Sequence, residues 1–203
     1  HREFCGDGVL SRDGSTVAET CTEQPPGTPE DRTYVRTHSG ANWTVREDIE
    51  LEIPGEGEPL LSTSLAIDGT GNTIAAQMRQ FPNFEFLGGL AEVQVFTRSG
   101  GSYAKAATFK PGSWRNPEDR ALFGSGLAVS ADGGTIAVGD VRDNGFGTGP
   151  RAAPLNPDTR ALGGVYVYRL RGSWVLANMV KPNFRSPLSE SFGRELALNG
   201  NGQ

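Results

Sequence analysis

A chain of 203 residues with a formal net charge of -5 is one medium-sized domain or part of a larger one. Lys and Arg are scattered among Asp and Glu, so no basic stripe is available to neutralise phosphates, which argues against nucleic acid as a partner. No apolar run approaches the ~20 residues that cross a bilayer, so no direct membrane insertion is expected in this segment.

The chain opens without a charged-then-apolar leader, as a mature secreted protein or an internal fragment would. Its 28 glycines and 13 prolines suit many short strands joined by turns.

Read in chain order, one pattern recurs. Its first copy is Phe4-Cys5-Gly6-Asp7-Gly8-Val9-Leu10-Ser11-Arg12-Asp13-Gly14-Ser15-Thr16-Val17-Ala18. The second begins at Leu61 and continues through Leu65-Ala66-Ile67-Asp68-Gly69-Thr70-Gly71-Asn72-Thr73-Ile74-Ala75-Ala76. The third is Phe123-Gly124-Ser125-Gly126-Leu127-Ala128-Val129-Ser130-Ala131-Asp132-Gly133-Gly134-Thr135-Ile136-Ala137-Val138-Gly139-Asp140, and the fourth runs from Ser191 to Gln203. Each reads as strand, tight turn, strand, with Asp-Gly as the hairpin dipeptide in the first and third.

A second half follows the first three copies, near residues 32–45, 90–103 and 163–176. Alternating β-formers, a Gly turn and a further strand describe a second hairpin. Trp43, Tyr103 and Trp174 fall at one repeat position here, a packing position in this reading.

Each repeat is therefore expected to be a four-stranded meander of about 60 residues, with blade repeats 4–60, 61–122 and 123–191 and the start of a further one at 192–203. One such sheet cannot bury both its faces. Radial stacking in a β-propeller solves this, and the repeats are too long for a β-helix. The expected fold is all-β: about three antiparallel blades plus the first strand of a fourth, a fragment of a larger propeller.

Phe123-Gly124 followed by Leu127-Ala128-Val129-Ser130, then Thr135-Ile136-Ala137-Val138-Gly139, then Gly164-Val165-Tyr166-Val167-Tyr168, resembles the FG-GAP repeats of integrin-α-type β-propellers. The likeness is greater to secreted or surface-anchored microbial and algal members. That family often carries a calcium loop in the first hairpin. Here the loops hold one carboxylate each, at Asp13, Asp68 and Asp132, where calcium takes ~6–8 oxygen ligands. Asp13 and Asp132 are read as turn-shaping residues, with no metal or cofactor site.

In a meander, alternate connections fall on opposite ends of the sheet. The long, dissimilar connections at about 19–31, 77–90 and 140–163 should share one face with those between repeats. Long loops on a rigid scaffold are where binding resides. This face is expected to meet other protein chains or neighbouring modules, with glycans as a further partner class.

The first hairpin turns near Asp13, which sets Cys5 opposite Cys21. The readings are a disulfide, implying an oxidising compartment, or a pair of inert buried thiols, with the disulfide favoured. Asn42-Trp43-Thr44 is an N-glycosylation sequon at Asn42. Together they point to an extracellular or cell-surface protein.

No catalytic set stands out. His1 and His38 are the two histidines, and His38 is read as a turn residue. Gly124-Ser125-Gly126 lacks the spacing of a nucleophile elbow. The expected function is a non-enzymatic module for adhesion or structural assembly of a cell-surface or appendage protein. The alternatives are a carbohydrate-binding propeller and a polysaccharide-acting enzyme.

Overall fold

The computed structural model of the chain describes residues 2–24, 32–52, 58–60, 64–81, 90–111, 122–143, 163–182 and 191–202. Among the described residues the chain is all-β, with three antiparallel sheets. The first holds β1 (Arg2–Leu10), β2 (Thr16–Gln24), β3 (Arg32–Ser39) and β4 (Thr44–Glu50) in chain order. The second holds β5 (Glu58–Leu60), β6 (Leu65–Ile67), β7 (Thr73–Phe81), β8 (Leu90–Ser99) and β9 (Ser102–Phe109). There β5 and β6 both pair with β7, so one edge strand is broken in two and the sheet is four strands wide. The third holds β10 (Phe123–Val129), β11 (Thr135–Asp140), β12 (Gly164–Arg171) and β13 (Ser173–Val180).

Several expected boundaries move. Glu58 already pairs with Phe81, so the second sheet begins ahead of the expected 61. Because β2 runs to Gln24 and β7 to Phe81, the connections shorten to 25–31 and 82–89, which lie outside the described residues. Most of 140–163 lies outside them as well. Residues 191–202 follow the course of a further first strand without forming one. Their one ladder contact is the parallel bridge Gly163–Phe192, since no neighbouring strand among the described residues offers a ladder.

The edge strand is irregular in all three sheets. One extra residue enters β1 between Cys5 and Gly8, and β10 shifts register between Phe123 and Gly126, where the second sheet has its break. The bulge in β1 has a consequence. Near the turn Val9 faces Ala18, a register that would set Cys5 opposite Thr22, and the extra residue sets it opposite Cys21 instead.

The turns are built alike. Ser11 Oγ donates to Asp13 Oδ1 (2.7 Å), as does the Ser15 N–H (2.9 Å). Ser130 Oγ and the Gly134 N–H repeat this at Asp132 (2.5 and 2.9 Å). Both carboxyls are held below the usual range, first by the serine hydroxyl and then by the N–H. A depressed folded pKa adds stability above the unfolded value of about 3.9, and that stability is lost as pH falls through the folded value. The expected result is a thermal midpoint that declines on acidification below about pH 4, with a shallower decline in the D13N/D132N variant, whose amide oxygens accept at every pH. Equal slopes in a melting series across that range would remove these turns as the cause.

The turns also stack on one another. The Asp13 N–H donates to Gly69 O (3.0 Å), the Gly69 N–H to Ala131 O (3.1 Å) and the Asp132 N–H to Gly200 O (3.1 Å). Gly71 sits against Thr16, Gly133 against Thr73 and Gly202 against Thr135, each glycine at positive φ. The same contact thus recurs at three junctions. The turn at 199–202 meets the turn of the third sheet as that turn meets the turn of the second.

Apolar layers fill the junctions. Ala18, Val35, Ile49 and Leu51 of the first sheet and its margin meet Ile74, Ala76, Met78 and Phe96 of the second. Val93, Val95 and Phe109 meet Phe123, Ile136, Val138, Tyr166 and Tyr168 of the third. Phe109 stacks on Tyr168 with ring centroids 3.8 Å apart. On the far side of the third sheet, Leu196 and Leu198 cover Ala128, Ala137 and Val165. Buried amides join neighbouring sheets: Gln77 Nε2 donates to Phe123 O (2.6 Å) and Gln94 Nε2 to Glu52 O (2.5 Å).

Candidate functional site

Two places gather polar chemistry. The first is the face of the first sheet turned away from the second. Strand alternation puts Val17, Glu19 and Cys21 of β2 on this face, beside Tyr34, Arg36 and His38 of β3. In the second sheet the register puts Ile74, Ala76, Met78, Glu92, Gln94 and Phe96 at the same places, and in the third Ile136, Val138, Asp140, Gly164, Tyr166 and Tyr168. Those faces are packed against a preceding sheet. On the first sheet Glu19, Arg36 and His38 replace apolar or uncharged groups, and no apolar cluster of the described residues includes them.

The charges on this face satisfy one another. Arg36 bonds Asp48 through Nε (2.8 Å) and Nη2 (3.0 Å), and its Nη1 lies 2.8 Å from Glu3. The buried Tyr34 hydroxyl donates to Glu3, and the guanidiniums of Arg32 and Arg36 each lie 5.2 Å from the Tyr34 ring centroid. The Tyr34 bond, followed by Arg36, holds the Glu3 carboxyl below its ordinary range. Burial raises the Tyr34 hydroxyl, and the Asp48 bond raises Arg36.

Cys5 and Cys21 face each other and are joined, with an S–S distance of 2.08 Å. Beside them His38 Nε2 lies 2.7 Å from Glu19 Oε1, and His38 Nδ1 lies 3.2 Å from Trp43 O. His38 is thus a strand residue paired with Val17 and Val45, a correction to its reading as a turn residue.

The second place is the end of the stack opposite the Asp-Gly turns, where the longer connections leave the sheets. Asp143 is fully buried. Lys181 Nζ reaches its Oδ1 (2.6 Å) and Tyr166 donates to its Oδ2 (2.7 Å). Lys181 Nζ also lies within reach of two carbonyls, Asp143 O (3.4 Å) and Gly163 O (3.3 Å). In the second sheet Lys110 pairs with the buried Glu92 (3.3 Å), which also accepts from Gln94 (2.9 Å). A lysine just past the fourth strand thus anchors a carboxylate twice over. Chemically these are clamps that hold loop ends to the scaffold.

Asn42 lies in the exposed turn between β3 and β4. Trp43 follows at φ 49° and is 45% exposed. By sheet register it shares a position with Tyr103 and Trp174, as the repeat alignment expected, but Tyr103 is buried and Trp43 is not. Ser39, Thr97 and Arg169 are equivalent through their β2, β7 and β11 partners; the ladder stops at Ser39–Thr44 in the first sheet and runs further in the other two, which leaves Trp43 in a turn and Tyr103 and Trp174 in strands. Glu19 and His38 were missed by sequence reasoning. Glu19 could have been found from its spacing of two from Cys21. His38 could not, because its partner strand is set by the β2–β3 register.

No protein-family model matches the chain, and no curated protein matches it. Among solved structures, prolyl oligopeptidase B from Galerina marginata, bound to a 35mer hydrolysis and macrocyclization substrate, superposes with a TM-score of 0.44 at 8% sequence identity, over 91% of this chain and 23% of that one. A structure from work on two prolyl endopeptidases superposes with a TM-score of 0.43 at 16% identity, over 90% of this chain and 22% of that one. The chain spans less than a quarter of either protein. Likeness of this degree carries no chemistry across.

Proposed function

We propose that the chain is a run of β-propeller blades of the FG-GAP kind. In this reading it works outside the cell as a non-enzymatic module for protein–protein adhesion or structural assembly of a surface or appendage protein. The observation that carries this is the turn-on-turn contact repeated at Thr16/Gly71, Thr73/Gly133 and Thr135/Gly202. One geometric relation joins successive sheets, as radial stacking requires. It leaves dissimilar connections at one end of a rigid stack, held there by the Lys110–Glu92 and Lys181–Asp143 clamps. The Cys5–Cys21 bond and the exposed sequon at Asn42 support an extracellular setting.

The test replaces 25–31, 82–89 and 144–162 with short Gly-Ser turns. The parent is expected to associate with further copies of itself in sedimentation, with cross-links mapping to these connections. The replaced variant is expected to keep its β circular dichroism and lose the association. Association that survives the replacement would sink the proposal. Binding on a glycan array that is lost with the same connections would install the carbohydrate-binding reading instead.

A further inference from the structure

We propose that the Cys5–Cys21 corner is a redox-gated zinc site, closed by the disulfide and opened by its reduction. Three ligands of two types converge there. One ligand atom from each of Cys5, Glu19 and Cys21 lies within 4.8 Å of the others. Ligands at about 2.0–2.3 Å from a tetrahedral zinc lie within that span of one another. Thiolate with carboxylate suits zinc, whereas calcium and magnesium take oxygen ligands alone.

His38 makes this more than a cluster. It meets Glu19 Oε1 through Nε2 (2.7 Å) while its Nδ1 faces Trp43 O (3.2 Å). A ring tethered to a backbone carbonyl and bonding a ligating carboxylate is the outer support that metal sites use to aim a ligand. Trp43 presents that carbonyl from a backbone at positive φ, 49°, a conformation seldom adopted by a bulky residue. The corner lies on a sheet face where Glu19, Arg36 and His38 stand in place of apolar or uncharged groups, and Cys5 is exposed to a reductant.

The chemistry balances with a dithiol or phosphine reductant. The reductant supplies two electrons, the S–S bond breaks, and two protons from solvent give two thiols. Zinc then displaces both thiol protons, binds the two sulfurs and the free oxygen of Glu19, and keeps its fourth position for water. His38 is a positioning residue.

The whole chain, reduced with a phosphine and left oxidised in parallel, is titrated with cobalt and then zinc. The reduced protein is expected to bind one ion per chain, with thiolate-to-cobalt absorption and thiols at least tenfold slower toward a disulfide reagent once zinc is added. The oxidised protein is expected to bind none. Glu19→Gln should weaken zinc by at least about tenfold, and His38→Ala by about 10–100-fold with the charge-transfer band retained. Equal binding by oxidised and reduced protein overturns the proposal. So does unchanged affinity in both variants, which would mean the cysteines act alone, or loss of β circular dichroism on reduction.

Discussion

Replacing Lys181 with Met is expected to destabilise the protein by about 3–5 kcal/mol, because it strands the Asp143 carboxylate without its cation. Asp143 is fully buried, and its Oδ1 has Lys181 Nζ at 2.6 Å. Nζ is also within 3.4 Å of Asp143 O and Gly163 O, so one substitution removes a charge and a donor shared by three oxygens. For a chain of this length the midpoint of thermal unfolding should fall by roughly 10 °C. The double variant D143N/K181M restores neutrality. Its side-chain amide oxygen can still accept from the Tyr166 hydroxyl, which now lies 2.7 Å from Oδ2, so at least half the loss should return. A K181M midpoint within one or two degrees of the parent would show that the pair adds nothing net.

The second large effect belongs to Gly71. At φ 74° an L side chain is strained, and a Cβ there would lie 2.5 Å from Thr16 Oγ1 and 2.6 Å from Thr16 Cβ. Thr16 is itself buried under the neighbouring turn and has little room to give. Left-handed strain of about 1–2 kcal/mol adds to an overpacking cost of about 1–3 kcal/mol. Gly71→Ala should therefore cost about 2–5 kcal/mol. Gly100 is the control. It has a similar φ of 66° with nothing within 4 Å of its would-be Cβ, so Gly100→Ala should cost only the backbone part. The double variant T16A/G71A should recover the steric part. If G71A and G100A melt alike in denaturant, the stacked turns do not couple one sheet to the next.

Much of the architecture was legible before any coordinates. Period-2 alternation, Asp-Gly dipeptides and the recurring Leu127–Ser130 and Thr135–Gly139 patterns set strands, turns and repeat length, because these signals are local. The pairing of Cys5 with Cys21 was legible as well, although the reason was incomplete. The turn register alone sets Cys5 opposite Thr22, and a bulge moves it. Burial was less legible than alignment: Trp43 keeps the register position of Tyr103 and Trp174, yet it lies in a turn where the ladder has ended and is 45% exposed.

By itself, then, the amino-acid sequence determined that this is an all-β chain of repeated hairpins with one cross-strand cysteine pair. Those properties depend on neighbours within a few residues or on repetition. Only the tertiary structure decided what each face meets. Glycines read as turn formers also carry the next turn at close range, and Lys181 finds Asp143 from 38 residues away. Glu19, Arg36 and His38 put charge on the outer face of the first sheet where their counterparts are apolar or uncharged, and Glu19 lies beside the disulfide. Such contacts depend on the register between strands and the stacking of sheets, which no local pattern encodes.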